Sequence, residues 1–470
     1  MPREFDVVVI GAGPAGENVA GRVADAGMTV AVVEKELVGG ECSYWACIPS
    51  KALLRPVDLA GEVSRVPGLD IGPIDTKAVL DWRDYMVSNL DDSGQVGWLD
   101  SVGAVLVRGT GRLTGPREVE VDTVDGGTET LTARHAVVLA TGSRAVIPRT
   151  PGLAEAAPWT NREATGARAV PRRLLIIGGG VVACEMAQAM HGLGAAETTI
   201  LVRGGGVLER MEPFAGEMVA KSLERQGIQV LTGEEAAAVE RPVPGGEVTV
   251  RLASGRTIVA DEILVATGRR PATGGIGLPT VGLEESGPVR VDGSMRATGV
   301  AEGWLYAVGD VNGLNALTHM GKYQGRLCGD VIVARAKGTA DDLPSMRDRA
   351  DGLGAPQVIF TDPQVCAVGK TESQARADGA AIRVVEYDMG RVSGGYLLGD
   401  GYEGRAKAVV DERRRVLLGV TFVAPGAAEL LHAATIAVTA GVTLDDLWHA
   451  VPAFPTVSEV WLRLLEEYGL

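Results

Sequence analysis

Phe5-Asp6-Val7-Val8-Val9-Ile10-Gly11-Ala12-Gly13-Pro14-Ala15-Gly16 decides the fold of this 470-residue chain. Phe5 to Ile10 has the length and β-branched content of a buried parallel strand, and the glycine-rich run opens a helical pattern that continues through Ala26. The glycines admit a tight turn, let a pyrophosphate approach backbone N–H groups and allow close helix packing, while the helix N-terminus offsets phosphate charge. Thr29 to Val33 reads as the next strand, and Glu34 stands at its end, where a carboxylate holds ribose hydroxyls. Strand, glycines, helix, strand and acid in that order form a dinucleotide fingerprint.

The same grammar returns downstream. Leu174 to Ile177 leads into Gly178-Gly179-Gly180-Val181-Val182-Ala183, a helix through Met190 and a strand at Thr198 to Val202. Here no acid follows the strand at once and Arg203 does, with Arg210 as a second candidate cation, which favours NADPH over NADH. Each unit is followed by a strand ending in Ala-Thr-Gly, at Ala140-Thr141-Gly142 and Ala266-Thr267-Gly268, so the two units read as homologous folds. Leu305 to Ala307 then offers a strand that ends near Gly309 and Asp310, a carboxylate suited to gripping the polyol of an extended cofactor or, alternatively, to capping the next helix.

Between the two units lies Gly39-Gly40-Glu41-Cys42-Ser43-Tyr44-Trp45-Ala46-Cys47-Ile48-Pro49-Ser50-Lys51. Four residues between the cysteines suit one turn of helix and a strained, reducible disulfide, with Pro49 in the first turn of the helix that follows. Cys184, Cys328 and Cys366 stand alone in apolar or helical contexts and read as core. No metal site is read from the sequence. A net charge of −15 argues against nucleic acid or an anionic membrane as partner. No apolar run of about 18 residues or charged-then-apolar leader is found, so a cytoplasmic location is expected.

These features together resemble the pyridine nucleotide-disulfide oxidoreductases of the glutathione reductase, dihydrolipoamide dehydrogenase and mercuric reductase group. The resemblance rests on Gly11 to Gly16, Gly39 to Lys51, the Ala-Thr-Gly pair, Gly178 to Glu185, Tyr306 to Asp310 and Val358-Ile359-Phe360-Thr361-Asp362-Pro363-Gln364, which is similar to the opening of that family's dimerisation domain. It implies an α/β fold with two Rossmann-like domains and an α+β C-terminal interface domain, in a homodimer. FAD is expected at the first site, held by Gly11, Gly13, Pro14, Ala15, Gly16, Glu34, Lys35, Gly40, Glu41, Ala140, Thr141, Gly142, Gly309, Asp310, Leu317, Thr318 and His319. NADPH or NADH is expected at the second, held by Gly178, Gly180, Val181, Arg203 and Gly268. The resemblance further implies hydride transfer to flavin and an electron pair passed to the Cys42–Cys47 disulfide, with Cys47 facing flavin and Cys42 meeting substrate. It pairs Lys51 with Glu185, a buried couple whose positive charge favours reduced flavin.

The chain departs from the family near its end. The disulfide reductases carry His-Pro-Thr-x-Ser-Glu, contributed across the dimer, in which histidine is the acid–base and glutamate orients it. This chain reads Phe454-Pro455-Thr456-Val457-Ser458-Glu459, and phenylalanine moves no proton. His449 lies five positions earlier and is the candidate substitute. Tyr44 and Trp45 either close the pocket with Phe454, which suits a flat aromatic acceptor, or pack into the core. The reading is therefore an NAD(P)H-dependent flavoprotein that reduces a small acceptor such as a quinone or another electrophile. Alternatives are a lipoamide-type disulfide reductase, a mercuric reductase lacking the C-terminal cysteine pair, and a flavin-bound redox sensor. Domain bounds are drawn at 1–150 (FAD), 151–280 (nicotinamide), 281–350 (return to the FAD domain) and 351–470 (interface).

Overall fold

The computed structural model describes residues 2–470 and divides into two compact units. The first unit comprises the chain up to Ile48, Asp84–Ala145 and Arg269–Gly352; the second comprises Pro49–Arg83, Val146–Gly268 and Leu353–Leu470. The segment after the cysteines thus belongs with the nicotinamide and interface regions, and the return to the first unit starts at Arg269.

In the first unit, Arg3–Ile10 is the centre of a six-stranded sheet. It pairs in parallel with Val30–Glu34 on one side and Thr128–Leu139 on the other, with registers such as Val7 to Val30 and Val9 to Val138. The side chains of Val7, Val8 and Val9 are fully buried, as continuous apolar runs in two-sided parallel strands should be. Val105–Gly115, Glu118–Thr123 and Thr128–Leu139 form an antiparallel excursion, and Leu305–Ala307 returns to pair with Val137 to Leu139.

The helix Pro14–Asp25 begins with proline, whose fixed φ suits a first turn, and buries Gly16, Val19, Ala20 and Val23 at helical spacing. It packs on the helix Thr318–Ala336 through a stripe of small residues. A Cβ on Gly325 would lie 2.5 Å from Ala15 O, and one on Gly329 would lie 2.5 Å from Arg22 Cβ. This close approach fixes where the start of the second helix, at Thr318, can lie.

The second unit holds three sheets. Glu262–Val265, Arg173–Ile177, Glu197–Val202 and Gln229–Thr232 form the parallel nucleotide sheet in that spatial order. Ala236–Glu240, Val248–Leu252 and Thr257–Ala260 form a small antiparallel sheet. The C-terminal sheet runs Gln357–Ile359, Gln364–Gly369, Val416–Ala424, Arg405–Asp411, Ile382–Asp388, and the helices Leu431–Ala440 and Val460–Tyr468 pack on it. Lys407, on a central strand of that sheet, is buried because Glu212 and Glu372 meet its ammonium at 2.8 and 2.7 Å. Among the described residues, no helix is long and apolar enough to cross a membrane.

Candidate active site

The first glycine turn is shaped by its own backbone. Gly11 sits at φ 106°, and a Cβ there would lie 2.4 Å from Ala140 O; one on Gly16 would lie 2.0 Å from Gly11 O. Gly13, immediately before the helix Pro14–Asp25, has no atom within 4 Å of its Cβ position. The turn is therefore closed on the sheet side and open at the helix N-terminus, which fits the pyrophosphate of FAD. Glu34 is buried at the end of its strand, where Oε2 accepts from Ala12 N–H and Oε1 from Glu36 N–H, both at 2.8 Å. Lys35 beside it is exposed. Burial raises the Glu17 carboxyl, on the first turn of the same helix, to about 7, against the opposing charge of Lys322 and with the added push of Glu34.

Asp310 lies in the turn Gly309–Asn312 and accepts from the Ser143 hydroxyl at 2.5 Å. Arg269 donates to Ser143 Oγ at 2.8 Å and lies 3.4 Å from Glu41, so Glu41, Arg269, Ser143 and Asp310 form a chain. Gly309 N–H donates to Gln324 Oε1 at 2.8 Å, and Thr141 Oγ1 donates to Ala272 O at 2.9 Å. Sequence reasoning missed Ser143 and Arg269. The signal was present, since each is the residue that follows an Ala-Thr-Gly, and the short strands Ser143–Ala145 and Arg269–Pro271 pair.

Cys42 and Cys47 do not share one turn of helix, which corrects the sequence expectation. Cys42 lies inside the helix Gly40–Tyr44, Trp45 breaks out at φ −136°, and Cys47 is the first residue of the helix Cys47–Ser64, with Pro49 in its first turn as expected. The thiol of Cys42 is nonetheless hydrogen-bonded to Cys47, and Cys47 Sγ lies 3.2 Å from Thr318 Oγ1. The Cys47 contact and then burial push the Cys42 thiol far above its ordinary range, while the Thr318 hydroxyl and the Lys322 charge pull it down. Thr318, expected on the cofactor side, thus also faces the sulfurs. Lys322, one turn on along the same helix, was missed because its place depends on the glycine-lined helix contact. His319 is exposed, and Leu317 precedes the helix.

Tyr44 is 3% exposed, packs where a Gly39 Cβ would meet its ring at 3.0 Å, and has its hydroxyl buried without a hydrogen-bond partner. Of the two alternatives for this ring, packing is the one observed. Trp45 is half-buried, with its ring centroid 5.7 Å from that of Tyr44.

In the second unit the nucleotide turn repeats the first. Gly178 sits at φ 125° with a Cβ position 2.3 Å from Ala266 O, Gly180 has open space, and Val181 begins the helix Val181–Gly192. Gly268, at φ 137°, ends the following Ala-Thr-Gly. Glu185 on that helix is buried and fully engaged: Oε2 lies 2.5 Å from Lys51 Nζ, and Oε1 accepts from Phe360 N–H at 2.9 Å. Lys51 also lies 4.9 Å from the Phe360 ring centroid. Arg203 is exposed after the strand Glu197–Val202.

The C-terminal segment differs. Phe454 is 73% exposed, whereas Glu459 is 4% exposed. The Glu459 carboxylate pairs with Arg463 through Oε1, and Oε2 is buried with no hydrogen-bond partner. His449, exposed at the end of the helix Leu444–Trp448, therefore does not bond to Glu459 and does not take the absent histidine's place beside it.

Residues 5–326 match the pyridine nucleotide-disulphide oxidoreductase family, and residues 355–464 match its dimerisation domain. The chain belongs to this family. It is 34% identical over 472 residues to dihydrolipoyl dehydrogenase of Thermus scotoductus, covering 99% of this chain and 97% of that protein. Mercuric reductase of Staphylococcus aureus is 28% identical over 463 residues, covering 97% and 81%. Among solved structures, LpdA of Mycobacterium tuberculosis matches with a TM-score of 0.85 at 24% identity over 100% of both chains. The Cu(II) complex of the flavoprotein disulfide reductase RclA of Escherichia coli matches at 0.84 and 24% over 99% of both. At that identity the likeness is one of fold. As a family member the protein is an oxidoreductase that uses FAD and NAD(P)H.

Proposed function

We propose that this oxidoreductase transfers the two electrons of NAD(P)H to a small acceptor such as a quinone, and that it is a poor disulfide reductase. FAD, when bound, supplies the two-electron relay between nicotinamide and thiols. The chain contributes the rest. Gly13 and Gly180 leave the helix N-termini open to phosphate, Glu34 and Asp310 offer carboxylates to the ribose and polyol hydroxyls, and Thr318 holds Cys47. The Lys51–Glu185 pair supplies a fixed positive charge whose own desolvation is offset by its partner. The overall change is NAD(P)H, a proton and quinone to NAD(P)+ and quinol, with the second quinol proton coming with the hydride.

The observation that carries this reading is the state of the C-terminal motif. Thiol–disulfide exchange needs a group that takes and returns the proton of the outer thiol. Cys47 and burial raise the Cys42 thiol, and Glu459, the residue that would orient a base, has one carboxylate oxygen buried without a hydrogen-bond partner. Loss of general acid–base help costs about a hundredfold to ten-thousandfold in rate. A quinone accepts electrons without a mixed disulfide and escapes that cost. We further propose that the working unit is a homodimer in which Phe454 and Glu459 of one chain face the cysteines of the other, as the matched dimerisation domain favours.

Steady-state turnover of purified holoenzyme with a naphthoquinone, lipoamide and Cu(II) tests the reading. Cu(II) belongs in the panel because the fold relative RclA binds it. Quinone reduction should persist in Cys42→Ser if electrons leave from flavin, and vanish if the thiols carry them. Lipoamide turnover matching that of the quinone would sink the proposal.

A further inference from the structure

In a nucleotide unit of this kind the end of the second strand reads the adenosine ribose at its 2′ position: a carboxylate there takes the hydroxyl, and an arginine accommodates a phosphate. The strand Glu197–Val202 ends without an acid and is followed by Arg203-Gly204-Gly205-Gly206. The backbone then turns back. Buried Leu208 adopts a left-handed conformation, φ 55°, and its N–H donates to Gly179 O at 2.8 Å, tying residues 203–208 to the glycine turn. A Cβ on Gly179 would lie 2.8 Å from Val202 Cγ1 and 3.4 Å from Gly206 O, so loop and turn touch. This fold-back aims Glu209 at the loop. Its Oε1 accepts from Gly205 N–H at 2.7 Å and from Gly206 N–H at 3.3 Å, and a Cβ on Gly204 would lie 2.2 Å from the same oxygen.

We propose that Glu209 is the specificity-determining residue of this site and selects the 2′-hydroxyl of NADH against the 2′-phosphate of NADPH. Successive backbone N–H groups of this kind form a concavity that binds anions. Here the chain's own carboxylate already fills it. A 2′-phosphate, with a charge of about −1.5 to −2 near neutral pH, must displace Glu209 from those amides and then remain beside it. Arg203 offers one positive charge against both, and the exposed Arg210 that follows Glu209 adds a second, still short of the combined negative charge of the phosphate and Glu209. A ribose hydroxyl needs no displacement, because it donates to a carboxylate whose Oε2 makes no hydrogen bond among the described residues. The acid that the local sequence lacks is thus returned by the fold seven residues after Val202, and the NADPH preference read from Arg203 is reversed. This goes beyond the proposed function, which accepts either nucleotide, and does not depend on the acceptor.

Two readouts test it on the holoenzyme. One is calorimetric binding of adenosine 2′,5′-bisphosphate against 5′-AMP. The other is the anaerobic rate of flavin bleaching at subsaturating NADPH against NADH. The wild type should bind the bisphosphate no more tightly than AMP and be bleached about tenfold or more faster by NADH. Glu209→Gln removes the charge and should shift both ratios toward the phosphate-bearing ligand by about tenfold, which corresponds to about 1.4 kcal/mol. Glu209→Ala also frees the amides and should shift them further. Glu209 is exposed, so neither change disturbs the core. A wild type that prefers NADPH, or ratios that stay fixed in both variants, would overturn the proposal.

Discussion

Glu185 and Glu459 are both buried carboxylates in the second unit, and their surroundings differ in one respect that separates two ends of the chemistry. Both oxygens of Glu185 are engaged, one by the Lys51 ammonium and one by the Phe360 amide. Glu459 has Arg463 on one oxygen and nothing on the other. A buried acceptor left without a donor costs about 1–3 kcal/mol, so an orphaned carboxylate oxygen marks a place where a donor belongs. The family motif puts a histidine in that role, and this chain has Phe454 with its ring largely in solvent. Lys51 and Glu185 are both present and bonded to each other. Beside Glu459 no histidine stands at the position the family motif gives it.

The contrast is broken most strongly by returning the imidazole. Phe454→His should raise lipoamide turnover by about a hundredfold while changing quinone turnover little, and adding Glu459→Gln should remove most of that gain. If lipoamide turnover does not rise, the missing base is not what limits disulfide exchange.

A second pair of substitutions sharpens the contrast by measuring stability. Glu185→Gln leaves the Lys51 charge without its partner, and urea unfolding of the holoenzyme should show a loss of about 2 kcal/mol, below the value for a fully buried pair because Lys51 is about one-third exposed. Glu459→Gln should cost under about 1 kcal/mol, since it gives up one ion pair to the partly exposed Arg463 and relieves a buried charge. Equal losses at the two positions would erase the distinction.

A pH-dependent effect concerns a third carboxylate of this unit. Asp58 accepts from Gln188 Nε2 at 3.0 Å, on the helix that carries Glu185. Burial first, and then the charge of Asp362, raise it to about 7; Arg55 opposes, and Glu62 and Glu185 add to the rise. The folded state therefore holds this proton more tightly than the unfolded chain. The stabilisation is complete below the ordinary carboxylate value near 3.8 and is lost as pH rises to about 7. Asp58→Asn should accordingly gain in Tm relative to the wild type between pH 4 and 7 and hold that gain above it. A Tm difference that does not vary with pH would show that Asp58 is ionised throughout.

How much of this was legible in the sequence depended on how locally each feature is encoded. The two glycine turns, Glu34 and the start of a helix at Pro14 follow from adjacent residues and were readable directly. The pairing of Lys51 with Glu185 spans 134 positions and was available only through resemblance. Three features were hidden for physical reasons. The break at Trp45 separates cysteines whose spacing suits a single helical turn. The Lys322 charge acts on the Cys42 thiol only because Gly325 and Gly329 let two helices approach closely. Glu209 returns to the strand end only through the left-handed backbone of Leu208, a conformation that local propensity argues against for leucine. Tyr44 shows the converse, since the residues between the cysteines left a pocket wall and core packing both open and the ring is buried.

In the proposed mechanism electrons are loaded completely and delivered without a protein base. The most direct test is the ratio of quinone to lipoamide turnover, measured with one preparation of the wild-type holoenzyme at saturating NADH. Quinone turnover should be faster by about a hundredfold or more. Lipoamide turnover equal to or faster than quinone turnover would contradict it.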